Sequence, residues 1–218
     1  MLFNLVLATL PVGVILLGSE YLWRKKIILG EKARKFIHIL AGVWMAFWPL
    51  YLPFDGIIVV ATAALTLLIY SRTTHLFHAI YAVKRKTYGD IFYGLAILSC
   101  AFLAQSDWIF TVSILLLALA DGVAAVVGRY VGSTNTYFVF GSKHLKKSIA
   151  GTVGFFLFAQ ISVLVGWFIG GAEVIKANPL LVFFILPVLS TAFENMMPFG
   201  LDNLTTPLLA TLLLNSMV

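Results

Sequence analysis

The chain has 218 residues, 61% of them hydrophobic and 11% charged, with a net charge of +6. A soluble domain is nearer half apolar and a quarter charged, so this composition excludes an ordinary globular enzyme, a nucleic-acid-binding domain and a disordered tail. At about 20 apolar residues per crossing, the length allows roughly seven to nine membrane spans in one integral membrane domain.

In chain order, eight apolar segments are predicted as spans: 2–18, 36–53, 56–71, 91–105, 108–130, 149–170, 179–194 and 203–217. The expected fold is therefore all-α and polytopic, a single transmembrane catalytic domain over 1–218. Pro11, Pro49, Pro187 and Pro207 lie inside apolar runs, where membrane helices tolerate them. The start Met1-Leu2-Phe3-Asn4 lacks the positive region of a cleavable signal peptide. The single cysteine, Cys100, sits in an apolar run and reads as a small buried residue. His75 and His78 read as interfacial, with no third ligand nearby.

Alternating the loops between two sides sorts the charge. One side collects Arg24, Lys25, Lys26, Lys32, Arg34 and Lys35, then Arg72, Lys84, Arg85 and Lys86, then Arg129, Lys143, Lys146 and Lys147. Of the 15 Lys and Arg residues only Lys176 falls opposite. The positive-inside rule then predicts cytoplasmic basic loops and both termini outside. Asp55, Asp107 and Glu173 fall at the outer face, while Glu20, Glu31, Asp90, Asp121, Glu194 and Asp202 lie on or near the inner half. The polar chemistry is expected to face the cytoplasm.

Asp121 lies about a turn and a half inside the apolar run Ile114–Gly132. An unpaired acid at that depth costs about 2.5–3.5 kcal/mol on insertion scales, and such residues are usually functional. On a helix, Asp121, Ala125, Gly128 and Gly132 share one face. The small residues either pack helices closely or leave room for a phosphate or headgroup, and Asp121 could instead simply pair with Arg129. Downstream, Lys143, His144, Lys146 and Lys147 precede a helix predicted to start near Ser148, a natural N-cap. Helix-start N–H groups with lysines alongside suit a polyphosphate, although the pattern is not a Walker A loop; an anionic-lipid anchor is the alternative. Glu194 and Asp202 flank a Pro198-Phe199-Gly200 turn on the same side as Asp121, and three carboxylates suit Mg²⁺. The bland alternative is a capped helix connection. Arg34, Lys35 and His38 share a helix face, and Asp90 opens a helix after Tyr88-Gly89.

In this order the pieces resemble the polyprenol kinase family, which includes dolichol kinase, phytol kinase and CTP-dependent diacylglycerol kinases. They are Arg34-Lys35-x-x-His38, Tyr88-Gly89-Asp90, Asp121-Gly122-x-Ala124-x-x-x-Gly128-x-x-x-Gly132, Lys147-Ser148-x-x-Gly151-Thr152, Glu194, and Asp202-Asn203-Leu204-Thr205-x-Pro207. The resemblance runs from about residue 30 to the end. It implies phosphorylation of a membrane lipid alcohol at the cytoplasmic face, with CTP as donor and a divalent metal. The stretch is also similar to the CDP-diacylglycerol synthases, but their His-Gly-Gly and Arg elements are missing around Pro198–Asn203, which favours a kinase. The compact length is closest to the phytol kinase group or its prokaryotic relatives, a resemblance that implies a prokaryotic plasma membrane.

On this reading Asp121, Lys147 and Asp202 are the candidate catalytic residues. Asp121, Glu194 and Asp202 would hold Mg²⁺. The nucleotide would meet Gly128, Arg129, Gly132, Lys143, Lys146, Lys147, Ser148, Gly151 and Thr152, and the lipid alcohol would meet Arg34, Lys35, His38, Asp90 and Asn203. Membrane lipids are the expected surroundings, and no nucleic acid is expected. The competing readings are a CDP-lipid synthase, which would release pyrophosphate, and a non-catalytic transporter using Asp121 as an ion site.

Overall fold

The computed structural model describes residues 2–74, 76–81, 88–132, 135–141, 146–170, 173, 178–198 and 200–217. Lys84, Arg85, Lys86, Lys143, His144, Lys176, His75 and Phe199 lie outside the described residues. The fold is all-α with one small ribbon. The helices are α1 (Leu2–Arg24), α2 (Glu31–Ala46), α3 (Phe54–Thr74), the single turn α4 (His78–Tyr81), α5 (Gly89–Leu103), α6 (Asp107–Val131), α7 (Ile149–Gly170), α8 (Leu181–Met196) and α9 (Asp202–Asn215). Each apolar segment expected from the sequence coincides with one helix. Among these, α1, α3, α6 and α7 are long and apolar enough to cross a membrane.

α6 is the axis of the bundle. Its apolar stretch is 78% buried, against 11% for α1, which lies at the rim with Leu2, Phe3, Leu10 and Leu17 exposed. A helix apolar on every side has either protein or lipid around it, and here α6 takes the first environment and α1 the second. Trp108, Phe110, Ile114, Leu115 and Leu116 of α6 are fully enclosed. α1 is fastened to α2 by the Trp44 and Trp48 indole N–H groups, which donate to the Ala8 carbonyl at 3.2 and 3.3 Å. Cys100 is buried, with the Thr211 hydroxyl 3.3 Å from its sulfur.

Two helices carry π turns. In α6 the turn covers Leu116–Ala120, immediately before Asp121. In α8 it covers Leu181–Ile185, two residues before Pro187, which has no N–H to continue a regular ladder. Extra residues of this kind re-aim the next turn of helix and often mark functional positions.

The structure corrects two expectations. The segment expected over 36–53 is helical from Glu31 to Ala46 only, and Pro49 sits in a 3₁₀ turn, Trp48–Leu50, rather than inside the helix. The helix therefore begins in the charged Glu31-Lys32-Ala33-Arg34-Lys35 stretch and carries Glu31, Arg34 and Lys35 into the bundle, while Lys32 stays exposed. A ribbon also appears where none was expected. Strand β1 (Thr136–Phe138) pairs antiparallel with β2 (Lys146–Ser148), setting Tyr137 opposite Lys147. Three-residue strands are too short to leave a period in the sequence.

Candidate active site

A polar cavity of about 620 Å³ opens among α2, α6, the ribbon, the start of α7, the end of α8 and the start of α9. Asp121, Glu194 and Asp202 line it, each from a different helix, and their nearest oxygens lie within 4.8 Å of one another. Asp121 and Glu194 are buried, and the Asp202 Oδ1 is buried without a hydrogen-bond partner. Opposite ligands of Mg²⁺ sit about 4.2 Å apart. Three carboxylates at this spacing, one with an orphaned oxygen, fit a hard divalent cation.

Basic side chains hold Asp121 and Glu194 in place. Lys35 Nζ donates to Asp121 Oδ2 at 2.5 Å, and His38 Nε2 lies 3.1 Å from the same oxygen. The carboxylate thus pairs with α2 and not with Arg129, whose guanidinium lies 4.0 Å from Glu31. His38 Nε2 also meets the Leu117 carbonyl at 2.9 Å, a group within the π turn of α6. Two acceptors on one ring nitrogen place the imidazole proton there. Tyr93 donates to the His38 carbonyl at 2.9 Å and fixes that turn of α2. Lys147 Nζ donates to Glu194 Oε1 at 2.6 Å and to the Glu194 carbonyl at 2.8 Å. Burial opposes the charge on Lys147, but the Glu194 carboxylate outweighs it and holds the ammonium above its ordinary range. Arg34 pairs with Glu31 one turn away, and its Nε is buried without a partner.

Small residues meet at the start of α7. Ser148 caps α7, its Oγ accepting the Gly151 N–H at 3.0 Å, so the helix starts where the sequence predicts. Gly128 faces that cap, and a Cβ there would collide with the Ser148 hydroxyl. A Cβ at Gly151 would sit 2.7 Å from Ser148 Oγ and 2.9 Å from the Ala124 carbonyl. The small residues thus serve close packing of α6 on α7, and Ala125, Gly128 and Gly132 line the cavity as well. Gly132 ends α6 with φ +84°, a conformation that favours glycine. Gly151→Val is expected to cost about 1–3 kcal/mol through overpacking. A thermal midpoint in detergent unchanged from wild type would contradict this contact.

Most of the expected site residues converge. Arg34, Lys35, Asp121, Gly128, Arg129, Gly132, Lys146, Lys147, Ser148, Gly151, Thr152, Glu194, Asp202 and Asn203 all line the polar cavity. Lys143 lies outside the described residues. Two residues do not reach it. Asp90 is tied to Arg72 at 2.9 and 3.2 Å, on the far side of Arg34, because Arg72 lies in the last turn of α3 and stacks over Tyr88. His38 reaches the cavity only through Asp121. Asn203 donates to the Gly89 carbonyl at 2.8 Å and so joins the start of α9 to the start of α5.

Sequence reasoning passes over Tyr137 and Asn195. The Tyr137 hydroxyl donates to Asn195 Oδ1 at 2.8 Å and lies 2.6 Å from Thr152 Oγ1, binding the ribbon to α7 and α8. Cross-strand partners share a face, so Tyr137 and Lys147 both reach the end of α8. The only sequence signal is that Asn195 comes directly after Glu194. His78, read as interfacial, meets Glu20 Oε1 at 3.0 Å and stacks on Trp23.

No family model matches this chain, and no solved structure matches it significantly. A curated protein does. The phytol kinase of Synechocystis sp. is 31% identical over 208 residues, covering 93% of this chain and 86% of that protein. That likeness extends far beyond the short motifs, and with its apolar helices the chain is an integral membrane protein. Shared length, shared sequence and the ordered motifs around the carboxylates lead to one assignment: the chain belongs to the polyprenol and phytol kinase family.

Proposed function

We propose that the chain is a lipid-alcohol kinase that transfers the terminal phosphoryl group of CTP to the hydroxyl of an isoprenoid or similar membrane alcohol. The observation that carries this reading is the carboxylate trio, Asp121, Glu194 and Asp202, within 4.8 Å in a cavity rimmed by lysines and a capped helix start. CTP as donor rests on the family resemblance.

Phosphoryl transfer depends mainly on positioning and charge neutralisation, and the chain's residues supply both. The trio would hold Mg²⁺, which when bound neutralises and orients the phosphate oxygens. The free N–H groups at the start of α7 and the partial positive charge of that helix face the same space. Lys146 and Arg129 line its rim. Lys147 spends two of its three donors on Glu194, which fixes its ammonium beside the trio. In the transfer the alcohol oxygen bonds to the terminal phosphorus, the bond to the bridging oxygen breaks, and the nucleoside diphosphate leaves. The hydroxyl proton passes to a carboxylate of the trio. Asp121 has its charge held by Lys35 and His38, so Asp202, which lines the cavity with its Oδ1 free of hydrogen-bond partners, is the assigned acceptor.

The whole chain acts as one catalytic domain of eight spans, with both termini outside and the cavity at the cytoplasmic face. The sorting of basic residues supports this topology, since Arg34, Lys35, Arg129, Lys146 and Lys147 surround the cavity while Asp107 and Glu173 belong to the other end.

The test uses purified protein in detergent, Mg²⁺ and CTP labelled at the terminal phosphorus, with a panel of lipid alcohols. Labelled lipid phosphate with release of CDP is expected. Transfer of the cytidylyl group with release of pyrophosphate would overturn the kinase reading in favour of a CDP-lipid synthase.

A further inference from the structure

A second cavity, of about 460 Å³, runs along the other side of α2, between it and α1, α3 and α5. Val12 and Leu16 of α1, Ile37 and Ala41 of α2, Ala64 of α3 and Ile97 of α5 are among its apolar walls. Its charged and titratable side chains are Arg34, His38, Asp90 and Tyr93, all near the starts of α2 and α5. The apolar remainder continues along α2 to Met45 and past its end to Trp48. At 1.5 Å per residue the stretch from Arg34 to Met45 alone gives roughly 17 Å of groove.

The groove and the polar cavity are separated by one layer of side chains. Arg34 lines both. His38 lines the groove and lies 3.1 Å from Asp121, which lines the polar cavity. An alcohol whose tail lay in the groove would therefore bring its hydroxyl to Arg34 and His38, the side chains that border the trio at Asp121. A cavity of 150 Å³ holds one benzene ring, so on that scale the groove seats about 18 carbons. That is room for one hydrocarbon chain and not for two.

We infer that the groove of α1, α2, α3 and α5 seats the tail of the alcohol substrate, so that the enzyme takes single-chain alcohols in preference to two-chain diacylglycerols. This rests on the kinase reading above. The wall has positions where bulk can be added: a Cβ at Gly13, which lines the groove, meets nothing within 4 Å.

The experiment compares wild type with Gly13→Leu and Ala64→Phe in the full-length chain, using saturated and isoprenoid alcohols of graded chain length, a diacylglycerol, and separate CTP-binding measurements. Wild type should favour single chains of about 15–20 carbons over the diacylglycerol. Each variant should shift kcat/KM towards shorter chains by about tenfold, since one methylene is worth a factor of about 10–200 in an apolar pocket, with CTP binding unchanged. An unchanged chain-length profile with intact CTP binding would overturn the groove assignment and leave the kinase reading standing. A wild type that phosphorylates no alcohol would instead remove that reading. A photoreactive single-chain alcohol, applied to wild-type protein, keeps the assignment testable if a variant fails to fold. Labelling of α1 near Gly13 and α3 near Ala64, displaced by unlabelled alcohol, is expected. Labelling elsewhere, or labelling displaced equally well by phospholipid, would contradict it, since the occupant would then be a bilayer lipid.

Discussion

Asp121→Asn is expected to lower turnover by about 10²–10³-fold or more, the scale seen when one preorganised charge-stabilising group is removed from an active site. The substitution keeps the shape of the side chain and removes its charge. Lys35 and His38 then close on a neutral amide, so the cation loses a charged ligand and the site loses the negative charge those two side chains hold in place. Breaking a buried ion pair costs about 3–5 kcal/mol, but Asp121 faces an open cavity where water replaces part of the loss. The variant should therefore fold, with a lowered thermal midpoint. Glu20→Gln provides the comparison. Glu20 is a buried acid at the same end of the bundle, but it holds His78, Arg24 and the Ala79 N–H and lies off the cavity. It should lose stability and keep turnover per folded molecule. Near-normal activity in Asp121→Asn would remove the assigned role.

Lys147→Ala is expected to change two affinities in opposite directions. The ammonium lies 2.6 Å from Glu194 and is held charged by it. Without it the triphosphate loses a positive neighbour, and the KM for CTP should rise about 10–100-fold, corresponding to roughly 1.4–2.8 kcal/mol. The trio, in contrast, becomes more negative, so a divalent cation should bind more tightly in the absence of nucleotide. A merely structural lysine would weaken both through loss of fold. Unchanged CTP affinity, measured in protein that retains its thermal transition, would move the phosphate site elsewhere.

The parts of the site that are legible in the sequence are those carried by one helix. The face of Asp121, Ala125, Gly128 and Gly132 comes from helical period alone, and those residues do line the cavity. Ser148 as a cap comes from residue type and the change to an apolar run. The shared side of Asp121, Glu194 and Asp202 comes from counting spans and sorting charges, which needs no knowledge of tertiary contacts. The illegible parts are set by contacts across the chain. Lys35 and Asp121 are 86 residues apart, and nothing in either neighbourhood names the other. Local charge density instead suggests Arg129, on the same helix, as the partner. The ribbon that positions Tyr137 and Lys147 leaves no period in three-residue strands. Asp90 opens a helix as expected, yet Arg72 claims it because α3 and α5 pack together. The early start of α2 is hidden because its first turn is charged and reads as loop, although Glu31, Arg34 and Lys35 line the site.

The most direct measurement is Mn²⁺ binding, followed by electron paramagnetic resonance, to the purified full-length chain with CTP present. Mn²⁺ takes the same oxygen ligands as Mg²⁺. One tightly held ion per chain is predicted, with affinity reduced at least about tenfold in Asp202→Asn and in Glu194→Gln, and with CTP binding strengthened by the ion in wild type. Mn²⁺ binding unaffected by either substitution, in protein that still binds CTP, would contradict the carboxylate trio as the centre of the reaction.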